Sequence, residues 1–296
     1  MIPGPHRALL LLLAMGMACA GDVDAPSLSG SPTTSSLVPS TTLPPSTTTP
    51  PATTLPPSTT TPPATTLPPT TTTPPATPIH FADGEAVRIV VTGDSVTVQW
   101  LPHLSDLLGP AADVVRRAHG GTALCDWFER HGNDLGFEHL ADWQPHVFVL
   151  DHGGNSLTNC MGGAEGDAYH EKNRQDLDYL IGLAEEFGAR MLLIAQPISR
   201  DGERVGTHEL YETAPNDHAD GTVRFVSTWP VLSPDGEFLQ EAPCNDTEPG
   251  CVDGTGLLRS PPPGGHLEPL GSWRYASVVA EALDALGWLP EGALSR

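Results

Sequence analysis

Gly93-Asp94-Ser95 follows the β-branched run Ile89-Val-Val-Thr92, so a strand suited to a core stops in a tight turn that carries a hydroxyl. A serine hydroxyl becomes a nucleophile only when a base takes its proton, and acyl transfer also needs donors aimed at the developing oxyanion. Three further segments offer those groups. Gly121, in His119-Gly-Gly-Thr122, has no side chain to crowd a ligand away from its backbone N–H. Asn155 closes Gly153-Gly154-Asn155 and brings a side-chain amide donor; His266, in Gly264-Gly-His-Leu267, brings an imidazole able to act as general base. Each has a plainer reading when taken alone: a strand-to-helix turn with Ser95 near the N-cap, a turn glycine, an Asx-turn, and a surface histidine.

The elements that must position these residues follow from apolar periodicity. Ala86–Thr92 reads as a strand and Val96–Leu108 as the helix behind it. Asp113–Ala118 is a weaker strand, Pro145–Asp151 (PHVFVLD) a strong one, Ala189–Pro197 (ARMLLIAQP) a buried one, and Val223–Val231 a fifth. The helix expected over Asp167–Gly188 has Leu177, Leu180, Ile181, Ala184 and Phe187 on one face, with Gly188 as its stop. A last helix over Pro269–Leu286 turns Trp273, Ala276, Val279, Ala280 and Leu283 inward. Strands alternating with helices, and strands that are apolar almost throughout, imply an α/β fold with a parallel sheet covered on both faces. Ligands bind such sheets beyond the carboxyl ends of the strands, where Ser95 and Asn155 both fall.

The chain ahead of this domain differs in kind. Residues 8–18 (ALLLLLAMGMA) have the length of a signal-peptide apolar core, and Ala18-Cys19-Ala20 fits a cleavage site, so 1–20 reads as a signal peptide and the protein as secreted or held at the cell surface. Lipid attachment at Cys19 ranks second, because Gly16 and Met17 suit such a site poorly. TTLPPSTTTPPA occupies 41–52, returns unchanged at 53–64, and recurs with one substitution at 65–76. Threonine and proline bury almost no apolar surface and favour extended backbone, so 21–78 reads as a disordered stalk, suited to O-glycosylation. Its three repeats would reach about 110 Å at about 3.1 Å per residue. The folded domain is then 79–296.

Composition narrows the function further. The formal net charge is −22, with Lys172 the single lysine, which argues against nucleic acid and anionic membrane as partners. Without Cys19, four cysteines remain, an even set for an oxidising compartment, and four cysteines allow three pairings. Cys244 and Cys251 flank the polar Asn-Asp-Thr-Glu-Pro-Gly loop, which suggests a local bridge; Cys125 with Cys160 follows by elimination. The alternative of a zinc site lacks the usual close Cys-x2-Cys spacing. No metal-site spacing and no phosphate loop occur, so no cofactor is expected.

Taken together, the four blocks around Ser95, Gly121, Asn155 and His266 resemble the SGNH (GDSL-type) hydrolases over residues 86–287. The likeness is strongest to secreted actinobacterial members with segments like Gly121–Trp127 (GTALCDW) and Gly154–Met161. The resemblance implies a flavodoxin-like three-layer sandwich with a five-stranded parallel sheet. It implies Ser95 as nucleophile, His266 as base, and an oxyanion hole built from the Ser95 and Gly121 N–H groups and the Asn155 amide. One position departs from the family pattern: Pro263 stands where an aspartate three residues before the histidine usually orients the imidazole. Asp253 and Glu268 are candidates to replace it in space, while Asp94 belongs to the first block and is expected to brace the turn.

The resulting expectation is an extracellular, monomeric serine esterase that hydrolyses or transfers an acyl group on a small ester or an acylated carbohydrate, with the stalk associating it with the cell envelope. The competing reading is a binding module that kept the fold and lost turnover with the aspartate.

Overall fold

Residues 76–128, 130–132, 134–218, 220–261 and 265–294 are described by a computed structural model of the protein. The expected signal segment, Cys19, nearly all of the Thr/Pro tract, and Pro263 lie outside the described residues. Among the described residues, no helix is long and apolar enough to cross a membrane.

Five strands form one parallel sheet: β1 (Val87–Gly93), β2 (Ala112–Ala118), β3 (Val147–Asp151), β4 (Arg190–Ala195) and β5 (Val223–Ser227). Their spatial order is β2-β1-β3-β4-β5, the flavodoxin-like order. In register, Gly93 of β1 stands beside Ala118 of β2 and Asp151 of β3, so the turns that leave these three strands emerge together at one edge. Every residue of β3 is buried, as an apolar central strand covered on both faces requires.

Helices supply the two outer layers. On one face α1 (Ser95–Leu108) and a C-terminal helix pack on a core that includes Ile89, Val91, Val147, Val149, Leu192 and Ile194. Residues of alternate orientation, Val90, Phe148, Leu150, Met191 and Leu193, join Leu177, Leu180, Ile181 and Ala184 of α2 (Gly166–Glu186) on the other. Gly188, at φ +69°, ends α2 as expected: Gly188 N–H donates to Glu185 O at 3.0 Å and Ala189 N–H to Ala184 O at 2.8 Å.

Two expectations need correction. The strand expected over Val223–Val231 stops at Ser227, and Trp229–Leu232 is a helical turn, α4, after the short α3 (His208–Thr213). Pro230 has no N–H for a ladder but is accommodated in a first helical turn. In the last helix, α5 (Pro269–Ala285), Trp273 is only partly buried, and Tyr275 takes the inner position with Ala276, Val279, Ala280 and Leu283. The buried face thus takes in Tyr275, whose ring stacks on Trp100 of α1 with centroids 5.1 Å apart.

A small antiparallel sheet between α4 and α5 was not legible in the sequence. Its strands are β6 (Glu241–Pro243), β7 (Cys251–Val252) and β8 (Thr255–Leu257), in the order β6-β8-β7. Cys244 and Cys251 are bridged across its connecting loop, with Cα atoms 5.8 Å apart.

Candidate active site

Ser95 is the first residue of α1, and Asp94 is its N-cap. Asp94 Oδ1 accepts the Val96 N–H at 2.9 Å, satisfying one of the first-turn donors that a helix leaves open; the Ser95 N–H has no acceptor among the described residues. Asp94 Oδ2 accepts the Gly153 N–H at 2.8 Å, and Gln196 Nε2 donates to both carboxylate oxygens at 3.1 and 3.3 Å. Asp94 therefore braces the Ser95 turn against the loop that carries Asn155. The close approach needs Gly93, where a Cβ would overlap the Thr97 side chain.

His266 Nε2 lies 3.0 Å from Ser95 Oγ although 171 residues separate them in sequence. This is hydrogen-bond distance between a hydroxyl and an imidazole nitrogen. The histidine is exposed. Nothing among the described residues bonds to its other ring nitrogen, Nδ1. Asp253 sits in the turn between β7 and β8, and Glu268 caps the N-terminus of α5; neither forms an ion pair or a hydrogen bond with His266.

Gly121 and Asn155 flank the same edge. The turn His119–Thr122 leaves β2 beside Ser95: a Cβ at Gly120 would stand 3.7 Å from the Ser95 Cβ. Gly121 is exposed at φ +81°, a backbone conformation that glycine adopts freely. Thr122 anchors the turn by donating its hydroxyl to Gly93 O at 3.1 Å and His119 O at 2.8 Å. Its carbonyl accepts Asn155 Nδ2 at 3.0 Å, which orients the amide and leaves its second N–H available. Beyond the turn, the Cys125–Cys160 disulfide, with Cα atoms 6.0 Å apart, joins the Gly121 segment to the Asn155 segment. From α2, Tyr169 holds the Asn155 segment by donating its hydroxyl to Gly154 O at 2.8 Å.

Beneath the edge lies a polar network that the sequence reading missed. Asp151, wholly buried at the end of β3, accepts from Tyr275 Oη at 2.6 Å, Trp100 Nε1 at 2.6 Å and Thr97 Oγ1 at 2.8 Å. Burial, with the nearby Asp94 carboxylate second, pushes its pKa up to about 7. His152 is buried next to it, 3.1 Å from Thr92 Oγ1 by Nε2 and 3.3 Å from Thr122 O by Nδ1, and burial lowers its pKa to about 4. Gln196 spans from Asp94 to Asp151 O at 3.2 Å. The available signal was a polar residue ending an otherwise apolar strand, as in VFVLD and RMLLIAQ.

No protein-family model matches the chain, and no curated protein does. Among solved structures, a carbohydrate acetylesterase from Sinorhizobium meliloti is 14% identical, with 68% of this chain and 99% of that one covered at a TM-score of 0.42. A GDSL-like lipase from Bacteroides thetaiotaomicron is 14% identical over 67% and 87% of the two chains, with a TM-score of 0.41. An acetyl xylan esterase is 16% identical over 67% and 100%, with a TM-score of 0.43.

Proposed function

We propose that residues 79–296 form an extracellular serine esterase that cleaves, or transfers, an acyl group on a small ester or an O-acylated carbohydrate. The observation that carries this reading is the 3.0 Å approach of His266 Nε2 to Ser95 Oγ at the edge where Gly121 and Asn155 stand. With Nε2 unprotonated, His266 accepts the Ser95 proton as Oγ attacks the ester carbonyl. The tetrahedral oxyanion is met by donors from Ser95 N–H, Gly121 N–H and the second N–H of the Asn155 amide. The imidazolium returns its proton to the departing alkoxide, and an acyl-serine remains. Water or an acceptor alcohol then attacks this ester with His266 again as base, releasing the acid or a new ester.

No carboxylate among the described residues pairs with Nδ1, so the reading is of a serine–histidine dyad. An orienting aspartate contributes up to ~10⁴ in turnover where one is present, so slow hydrolysis is expected. The opposing reading is a binding module that has lost turnover, favoured by Pro263 at the family's aspartate position. Hydrolysis of 4-nitrophenyl acetate by the isolated protein, abolished by Ser95→Ala, supports the esterase. Equal rates for wild type and Ser95→Ala would leave the binding module.

A further inference from the structure

The dyad raises a physical question: what holds an exposed imidazole at 3.0 Å from its serine when no carboxylate among the described residues meets Nδ1? The described structure holds it through the main chain on both sides of the residue. Ahead of it, Gly265 N–H donates to Ser260 Oγ at 2.8 Å, and Gly265 O accepts from Arg259 Nε. His266 O itself accepts the Ser260 N–H at 2.8 Å, and Arg259 and Leu267 form an isolated antiparallel bridge. Arg259 is buried, packed 5.3 Å above the Phe238 ring and bonded to Ile198 O, and it forms no ion pair with any described carboxylate. Its fixed fork is spent on the carbonyls of Gly265 and Ile198.

The tie on the other side is more specific. Leu267 N–H donates to Gln99 Oε1 at 2.7 Å, a contact spanning 168 residues. Gln99 lies one helical turn beyond Ser95 on α1, and residues four apart share a helix face. The same rigid turn of α1 thus carries the nucleophile and grips the residue next to the base. The acceptor must be the amide oxygen, because an N–H is the donor.

Resting on the esterase reading, we infer that Gln99 is a positioning residue. It sets the Ser95–His266 distance by anchoring the His266 backbone to the nucleophile's own helix, and so takes over the orienting half of the missing carboxylate's work. It does not replace the charge. Misplacing a base by about 1 Å costs about a hundredfold in rate, which sets the scale of the expected effect.

The test compares Gln99→Met, which keeps length and removes the acceptor, with Gln99→Glu, which keeps an acceptor. Turnover of 4-nitrophenyl acetate should fall about tenfold to a hundredfold in Gln99→Met with KM within about twofold, and Gln99→Glu should retain most of it. In a His266→Ala background, Gln99→Met should cost nothing further. Wild-type turnover in Gln99→Met, the same loss in both variants, or an equal further loss without His266 would each overturn the inference. The resting protein gives a readout independent of esterase activity. The His266 ring resonance, assigned by its absence in His266→Ala, should move in Gln99→Met and stay in place in Gln99→Glu. If wild type hydrolyses no ester, the esterase reading fails while this spectrum still decides the role of Gln99: an unmoved resonance in Gln99→Met overturns it.

Discussion

Tyr275 Oη donates to Asp151 Oδ1 at 2.6 Å across 124 residues of sequence, tying the last helix to the end of the central strand. Both residues are fully buried. The bond joins α5 to the strand whose exit loop carries Asn155, so one hydroxyl contributes to the stability of the fold and to the placement of the site.

Tyr275→Phe should destabilise the protein by about 1–3 kcal/mol, the cost of leaving a buried polar group short of a partner. The loss should be larger at pH 8 than at pH 5, because the ionised carboxylate that prevails above its raised pKa of about 7 depends most on its donors. Urea denaturation at the two pH values measures this.

Asp151→Asn tests the titration itself. In the folded state Asp151 holds a proton up to about pH 7, whereas an unfolded aspartate releases it near 3.8, so its contribution to stability is present at low pH and is lost as pH rises through that window. His152 acts oppositely: buried neutral, with its pKa lowered to about 4, it contributes fully above its unfolded value of 6.5 and loses that contribution as pH falls towards 4. Wild type carries both slopes and the variant only that of His152. The stability of Asp151→Asn relative to wild type should therefore climb between about pH 4 and 7, on the order of 1.4 kcal/mol per pH unit at most. A difference independent of pH would refute the buried-acid assignment.

Asn155→Ala should lower turnover by about 10²–10³ with little change in KM if its amide meets the oxyanion. Its bond to Thr122 O is also lost. Asn155→Asp fills the same space, likewise lacks both donors, and adds negative charge beside Thr122 O and the proposed oxyanion position. It should be at least as inactive as the alanine variant and unfold at no higher a temperature, and thermal unfolding measured beside turnover distinguishes loss of the Thr122 bond from loss of the oxyanion donor.

The two disulfides should differ in what they protect. Replacing Cys125 and Cys160 by serine frees the Gly121 and Asn155 segments from each other and should reduce turnover as well as melting temperature. Replacing Cys244 and Cys251 loosens a seven-residue separation next to the small sheet and should lower melting temperature alone. Activity per folded molecule, measured beside thermal unfolding, distinguishes them.

Pro263→Asp supplies an acid where GDSL-type hydrolases usually carry one. Turnover should rise about tenfold or more if the carboxylate reaches Nδ1, and the uncharged Pro263→Asn should not show this gain. Equal behaviour of the two variants would mean that relief of proline's fixed φ, not charge, was responsible.

Much of the sheet was legible because its signals are local. Runs such as PHVFVLD and ARMLLIAQP are apolar on both alternating faces, so they must lie inside a covered sheet, and Gly188 had to stop a helix wherever that helix packed. The error at Val223–Val231 came from a local ambiguity: TWPV suits either a strand end or a proline-started helical turn, and packing after Thr228 selected the turn. Short strands of two or three residues, as in β6, β7 and β8, hold too few side chains to show a period at all.

By itself the sequence determined which residue types could do chemistry and at which strand ends they would emerge, because composition and apolar period are properties of short segments. Only the tertiary structure decided that His266 meets Ser95 at 3.0 Å, that Gln99 grips the neighbouring peptide, and that Asp151 is enclosed by Thr97, Trp100 and Tyr275. Those contacts join residues separated by 51 to 171 positions. Distances across such loops are set by the packing of whole helices against the sheet, a property that no short segment carries.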